Sequence, residues 1–320
     1  MPIKALIMNP FPQSCVEQIA TVPGYDYILS PEPTAEQLAA AEVIIGMPPV
    51  SLLKGAPNLK WLQIPFAGTD TYPKAEFPAG AVLTNTSGAF GKGISEYVLT
   101  MVLMLYKNMG LYRDSQLLER WQDEGVQLSP TGKNLLIVGA GDIGSETAKL
   151  FRPFGCRITG VRRVPRAVPP EYDEMITLDR LDEALPQADI VVCALPGTAA
   201  TKKLFNAERL ALLKKSAVLV NVGRGNLIDC EALAAALNAG ALYGAAIDVT
   251  DPEPLPQGHP LWKCRNCILT PHITGGSFGH LQHTTDFIVQ LCLDNLAAYR
   301  DGKELRNLVD FDAGYRKTQG

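Results

Sequence analysis

The stretch LLIVGAGDIGSETAKLFRPFG, residues 135–155, restricts the architectures open to this chain more than any other segment. An apolar run leads straight into Gly139, Gly141 and Gly144 in G-x-G-x-x-G spacing, and a helical pattern follows. In a strand–turn–helix unit of this kind the first glycine permits the tight turn and the second lets the backbone approach a pyrophosphate. The third allows close helix–strand packing, and the free N–H groups at the helix start attract phosphate. The spacing alone is weak. Its place between a strand and a helix, with a second strand-like run CRITGVRR next, gives it weight against a merely structural glycine turn.

The rest of the chain agrees with that unit. From Lys133 onward NLLIVGAG, CRITGVRR, ADIVVCALP, AVLVNVGRG, YGAAIDV and CILTPH alternate with helical patterns. Continuous apolar strands separated by helices indicate a parallel sheet covered on both faces. The runs IKALIMN, EVIIGMP, LKWLQIP and AVLTNTS repeat the pattern more weakly in the first 90 residues. The expected fold class is α/β: a Rossmann-type doubly wound parallel sheet plus a second, smaller flavodoxin-like α/β domain. Long helical patterns run from about Ile94 to Asn108 and from about His280 to Tyr299. Only about 20 residues follow the second, too few for a core of their own. The chain is therefore expected to return to its first domain, giving a discontinuous substrate domain of residues 1–93 and 285–320 and a dinucleotide-binding domain of residues 94–284.

Composition narrows the function classes. In 320 residues, 47% are hydrophobic and 19% charged, and the formal net charge is −4. That balance describes an ordered globular protein with no general attraction to nucleic acid or anionic membrane. No apolar stretch is long enough to span a bilayer and the N-terminus lacks the pattern of a secretory signal, so the expected location is cytoplasmic. Seven scattered cysteines read as reduced core residues. Cys264 and Cys267 form a lone C-x-x-C without a second pair, and His280 and His283 an H-x-x-H that no carboxylate or cysteine set completes, so no metal is expected.

The second strand of a dinucleotide-binding unit ordinarily ends in Asp or Glu about 20 residues past the glycines, to accept hydrogen bonds from the ribose. In this chain that position is Arg162, followed by Arg163 and Arg166. A guanidinium accepts no hydrogen bond but can pair with a phosphate. NADP(H) is therefore the preferred cofactor, and NAD(H), bound without its usual anchor, stays open.

Three later strand ends carry reactive side chains: Arg224 in NVGRGNLID, Glu253 in AAIDVTDPEPLP and His272 in LTPHITGG. In open α/β sheets ligands bind outside the carboxyl ends of the strands. With LPGTAATKKLFNAERLALLKKSAVLVNVGRGNLID, the D-V-x-x-x-E-P segment from Asp248 and the Pro271-His272 pair, the chain resembles the D-isomer-specific 2-hydroxyacid dehydrogenases over essentially its full length. The resemblance implies that Arg224 holds the substrate carboxylate and carbonyl, that His272 is the acid/base and that Glu253 supports it. A planar guanidinium suits a carboxylate beside a carbonyl, and histidine changes charge near neutral pH. The resemblance also implies that Phe66, Ala67 and Gly68 in FAGTD meet the substrate, which would put the active site between the domains. It extends the cofactor contacts to Gly139, Ala140, Gly141, Asp142, Ile143, Gly144, Arg162, Arg163, Pro196, Thr201, Val222, Gly223, Asp248 and Gly275. It further implies a homodimer and a small 2-keto acid substrate, with glyoxylate and hydroxypyruvate as first guesses. Formate dehydrogenases share the fold but carry glutamine where this chain has Glu253, which argues against formate. A cofactor-sensing, corepressor-like protein is the rival from another class, disfavoured by the absence of long interaction tails.

Overall fold

The computed structural model describes residues 2–69, 71–164, 167–275, 281–311 and 315–316, the side chains of the last pair excepted. Arg166 and His280 lie outside the described residues. The chain divides into two compact units, residues 1–90 with 276–320, and residues 91–275.

In the first unit, β1 (Ile3–Ile7), β2 (Tyr25–Leu29), β3 (Val43–Ile45), β4 (Trp61–Gln63) and β5 (Val82–Thr84) form a parallel sheet of order β2-β1-β3-β4-β5. This is the flavodoxin-like order. Every residue of β3 and β4 is buried, as expected of central strands covered on both faces. The long helix Gln282–Arg300 belongs to the same unit and is tied to it by buried polar contacts. Tyr25 Oη donates to Leu296 O at 2.6 Å, Tyr299 Oη to Glu42 Oε1 at 2.8 Å and Asn295 Nδ2 to Gln63 Oε1 at 3.0 Å. Asn295 and Gln63 are fully buried, so each needs such a partner to offset its desolvation.

The second unit is built on β6 (Asn134–Val138), β7 (Arg157–Arg162), β8 (Glu174–Thr177), β9 (Ile190–Cys193), β10 (Val218–Asn221), β11 (Gly244–Ile247) and β12 (Cys267–Leu269). These seven parallel strands run in the order β12-β11-β10-β9-β6-β7-β8. The order reverses beside β6, which is the switch point where doubly wound sheets bind dinucleotides. One sheet face, with Leu136, Val138, Val191, Leu219 and Ile247, packs on Phe205, Leu233 and Leu237 in a single buried cluster. The helix Gly91–Tyr106 opens this unit and packs on the helix Asp142–Phe151. A short antiparallel pair, β13 (Val309–Asp310) and β14 (Tyr315–Arg316), ends the described chain.

The units meet in sequence at 90/91 and 275/276, against 93/94 and 284/285 expected from the sequence. The first difference has a local cause. Ile94 is the first apolar residue of its helix, but the helix starts at Gly91, and Gly91-Lys92-Gly93 offers no periodicity to announce it. All seven cysteines are unpaired and six are buried. Burial raises the thiol pKa of Cys193 and Cys292, which makes them inert packing residues. Among the described residues no helix is long and apolar enough to cross a membrane.

Candidate functional site

Gly139 and Ala140 follow β6 directly, and both of their amides donate to Val161 O at 3.1 Å, which seats the glycine turn against the end of β7. A Cβ at Gly139 would come within 2.6 Å of Ala194 O, and one at Gly144 would overlap Gly139 O. A Cβ at Gly141 would meet nothing within 4 Å. Packing thus demands the first and third glycines, while the second faces open space. The helix Asp142–Phe151 starts at that opening with no side-chain cap on its first amides. An uncapped helix start beside an open glycine is the arrangement that fits a pyrophosphate. The Asp142 carboxylate turns aside, since a Cβ at Gly91 would lie 2.7 Å from its Oδ2.

Arg162 is the last residue of β7, one residue beyond the carbonyl that anchors the glycine turn. Its Nε is buried and has no hydrogen-bond partner among the described residues. An orphaned guanidinium N–H carries a desolvation cost that an anionic ligand would relieve. Arg163 follows on the exposed side.

The loops after β9 and β10 are locked from within. Thr201 is buried, donates to Pro196 O at 2.8 Å and accepts from Thr198 N at 2.8 Å. Its hydroxyl therefore staples the 196–201 loop. After β10, the buried Val222 amide donates to Cys193 O at 3.0 Å. Asn221 then accepts from Gly223 N at 3.1 Å and donates to Arg224 O at 3.0 Å, fixing the turn that carries Arg224. Arg224 Nη1 donates to Gly223 O at 2.9 Å. A Cβ on the next residue, Gly225, would overlap Thr250 O, so only glycine lets the β10 and β11 exits come this close.

His272 and Glu253 meet with Nδ1 2.6 Å from Oε1. An ionised carboxylate only accepts, so Nδ1 carries the proton and Nε2 is left as the exchangeable site. The side chains are 47% and 42% exposed, and a pair so solvated stabilises the fold by less than about 1 kcal/mol. Its value is chemical. His272 has φ 54°, a left-handed conformation uncommon outside glycine and costing about 1–3 kcal/mol. Its amide donates to Asp248 O at 2.8 Å.

Asp248 is 2% exposed, and its oxygens accept four hydrogen bonds from residues 270, 273 and 274. Those four fill about all the lone-pair positions of a carboxylate. Asp248, expected from the sequence to meet the cofactor, also braces the turn bearing His272. Gly275 closes that unit, and a Cβ there would lie 3.9 Å from Ile94 Cδ1.

In the first unit, Phe66, Ala67 and Gly68 form a half-buried bend after β4. Ala67 O accepts from the buried Asn85 Nδ2 at 2.7 Å and Phe66 O from Thr86 N at 3.1 Å. Asn85 is in turn bracketed by Asn307, whose Nδ2 donates to Asn85 O at 3.1 Å and Ser87 O at 2.8 Å. With their carbonyls held on one side, the Ala67 and Gly68 amides donate to no acceptor among the described residues. Sequence reading missed Asn85, Asn221, Thr270 and Tyr97. The threonines at 270 and 274, flanking Pro271-His272, and Asn221, just before Arg224, were visible signals; Tyr97 lies far in sequence from the threonine it bonds, and Asn85 from Ala67 and Asn307.

The profile of the D-isomer specific 2-hydroxyacid dehydrogenase, NAD binding domain, matches residues 99–274. A glyoxylate reductase of Aeropyrum pernix is 30% identical over 307 residues, 90% of this chain and 87% of the relative. A crystal structure of a D-isomer specific 2-hydroxyacid dehydrogenase family protein from Aeromonas salmonicida superposes with a TM-score of 0.86 at 32% identity, covering 98% of this chain and 100% of that one. An NADPH-dependent glyoxylate/hydroxypyruvate reductase from Sinorhizobium meliloti, solved with NADP and sulfate, gives a TM-score of 0.82 at 25% identity over 98% and 100% of the two chains.

Proposed function

Because this chain belongs to the D-isomer specific 2-hydroxyacid dehydrogenase family, and is an NAD(P)-dependent oxidoreductase of CH–OH donors, we propose that it reduces a small 2-keto acid to the D-2-hydroxy acid, preferring NADPH. Glyoxylate and hydroxypyruvate are the first substrates to test, in keeping with the relatives. The observation that carries this reading is the 2.6 Å contact of His272 Nδ1 with Glu253 at the carboxyl end of the sheet.

When bound, the reduced nicotinamide supplies the hydride. The chain's residues do the rest. Arg224 binds the substrate carboxylate and draws charge from the carbonyl as its oxygen becomes negative. His272 gives that oxygen its Nε2 proton, while Glu253 accepts from Nδ1–H and holds the ring in place. The Ala67 and Gly68 amides offer two donors to a carboxylate. The glycine turn takes the pyrophosphate, and Arg162 with Arg163 the 2′-phosphate.

A steady-state assay with NADPH and a panel of 2-keto acids tests this reading; tight NADPH binding with no turnover of any of them would replace it with the sensing role. Arg224→Lys keeps the charge and loses the planar fork, so kcat/KM for the keto acid falls sharply while NADPH affinity holds. Normal keto-acid kinetics in that variant would reduce Arg224 to a turn residue. Trp121, Val126, Leu117 and Leu118, within ten residues of one another, stand 104%, 81%, 66% and 60% exposed, and so many exposed apolar side chains in one short segment support a homodimer. Light scattering that finds a monomer at assay concentration would remove the dimer.

A further inference from the structure

We propose that Tyr97, Thr270 and Asp248 form a positioning relay that fixes the backbone turn of His272. The inference rests on the reading of His272 as the proton donor, but its geometry stands by itself. Asp248 Oδ1 accepts from Thr270 Oγ1 at 2.6 Å and Ile273 N at 2.9 Å. Oδ2 accepts from Thr274 N at 3.1 Å and Thr274 Oγ1 at 2.7 Å. The Asp248 carbonyl takes the His272 amide at 2.8 Å. One buried residue thus holds both flanks of His272 and its own N–H.

The direction of the outer link follows from proton counting. Thr270 has one hydroxyl proton and gives it to the carboxylate, which cannot donate in return. Tyr97 Oη lies 2.6 Å from Thr270 Oγ1, so the phenol must be the donor. The order is Tyr97 O–H to Thr270 O–H to Asp248. Burial pushes the Tyr97 phenol up to about 12, which keeps its proton in place at any working pH. Tyr97 sits on the helix Gly91–Tyr106, so the relay fastens the His272 turn to the helix that opens its unit. Left-handed conformation at a non-glycine residue persists only where the surroundings over-determine it. Five hydrogen bonds from one aspartate, braced by a sixth from Tyr97, are that over-determination.

The test uses full-length protein carrying Thr270→Val, Thr270→Ser or Tyr97→Phe. Misplacing an acid/base by a fraction of an ångström to an ångström costs up to about a hundredfold, so Thr270→Val lowers kcat about ten- to hundredfold and Tyr97→Phe less. The NADPH dissociation constant, read by fluorescence titration, stays at the wild-type value in both. Thr270→Ser, which keeps the hydroxyl, restores kcat. A second readout is independent of turnover: the ring-nitrogen NMR signal of the His272 Nδ1–H bonded to Glu253, assigned by its loss in His272→Gln. It persists in wild type and Thr270→Ser and weakens in Thr270→Val and Tyr97→Phe. If wild type reduces no 2-keto acid, the functional reading fails while the ring signal still decides the relay. Wild-type kcat and ring signal in Thr270→Val overturn the relay, as does a loss of NADPH affinity that accounts for the whole loss of rate.

Discussion

In His272→Ala, kcat for reduction of the best 2-keto acid falls about 10²–10⁴-fold, the usual contribution of a positioned acid/base, and NADPH affinity is unchanged. The alkoxide formed by hydride addition then has only water as a proton source, and water is neither acidic enough nor held in place. The loss is catalytic and not a folding defect, because the His272–Glu253 pair is half-exposed and stabilises the protein by less than about 1 kcal/mol. The melting temperature should barely move. Glu253→Gln is the sharper variant. Reduction uses the charged ring and oxidation the neutral one, and Glu253 lies 2.6 Å from Nδ1. Glu253→Gln keeps the size of the side chain and removes the charge that faces Nδ1–H, so kcat for reduction falls while NADPH affinity holds. A wild-type kcat in Glu253→Gln would take Glu253 out of the mechanism, and a near-normal kcat in His272→Ala would take out the histidine.

The parts of this site that sequence made legible are those whose chemistry is carried within one short segment. The glycine turn announces itself because tight turn, close approach and helix start all fall within six residues, and two of its three glycines prove to be required by backbone neighbours. Arg162 was legible because its meaning depends on a count along the chain, and β7 ends at that residue. Arg224, Glu253 and His272 were legible as strand ends, and the 2.6 Å contact joins the last two. Residues whose duty lies in tertiary contact were not. Tyr97 is 173 positions from the threonine it bonds, and Asn307 is 222 from Asn85. Nothing local distinguishes such a tyrosine from a core residue. Asp248 and Thr201 carry a further duty that neither type nor place announces, since their oxygens also hold their own loops together. Only the three-dimensional account of donors and acceptors shows that.

The cofactor preference turns on Arg162. Its Nε is buried without a partner among the described residues, at the strand end where a carboxylate would otherwise receive the ribose hydroxyls. A carboxylate there would repel a 2′-phosphate; a guanidinium attracts it and satisfies its own orphaned N–H at once. One charged hydrogen bond contributes about 1.5–3 kcal/mol net, and each 1.36 kcal/mol or so is tenfold, so the preference for NADPH expected from Arg162 is roughly ten- to hundredfold. Wild-type protein should show that preference in kcat/KM for the two cofactors at fixed keto acid and ionic strength. Arg162→Ala should lose most of it through the KM for NADPH with kcat nearly intact, since the 2′-phosphate lies far from the reacting carbon. Arg162→Asp should go further and favour NADH, because it both repels the phosphate and restores an acceptor for the ribose. Raising the salt concentration should erode the wild-type preference by screening the partly exposed charges, and should have little effect on Arg162→Ala. A wild-type preference for NADH, or an unchanged cofactor ratio in Arg162→Ala, would mean that the guanidinium serves the strand end alone and that the phosphate is read elsewhere or not at all.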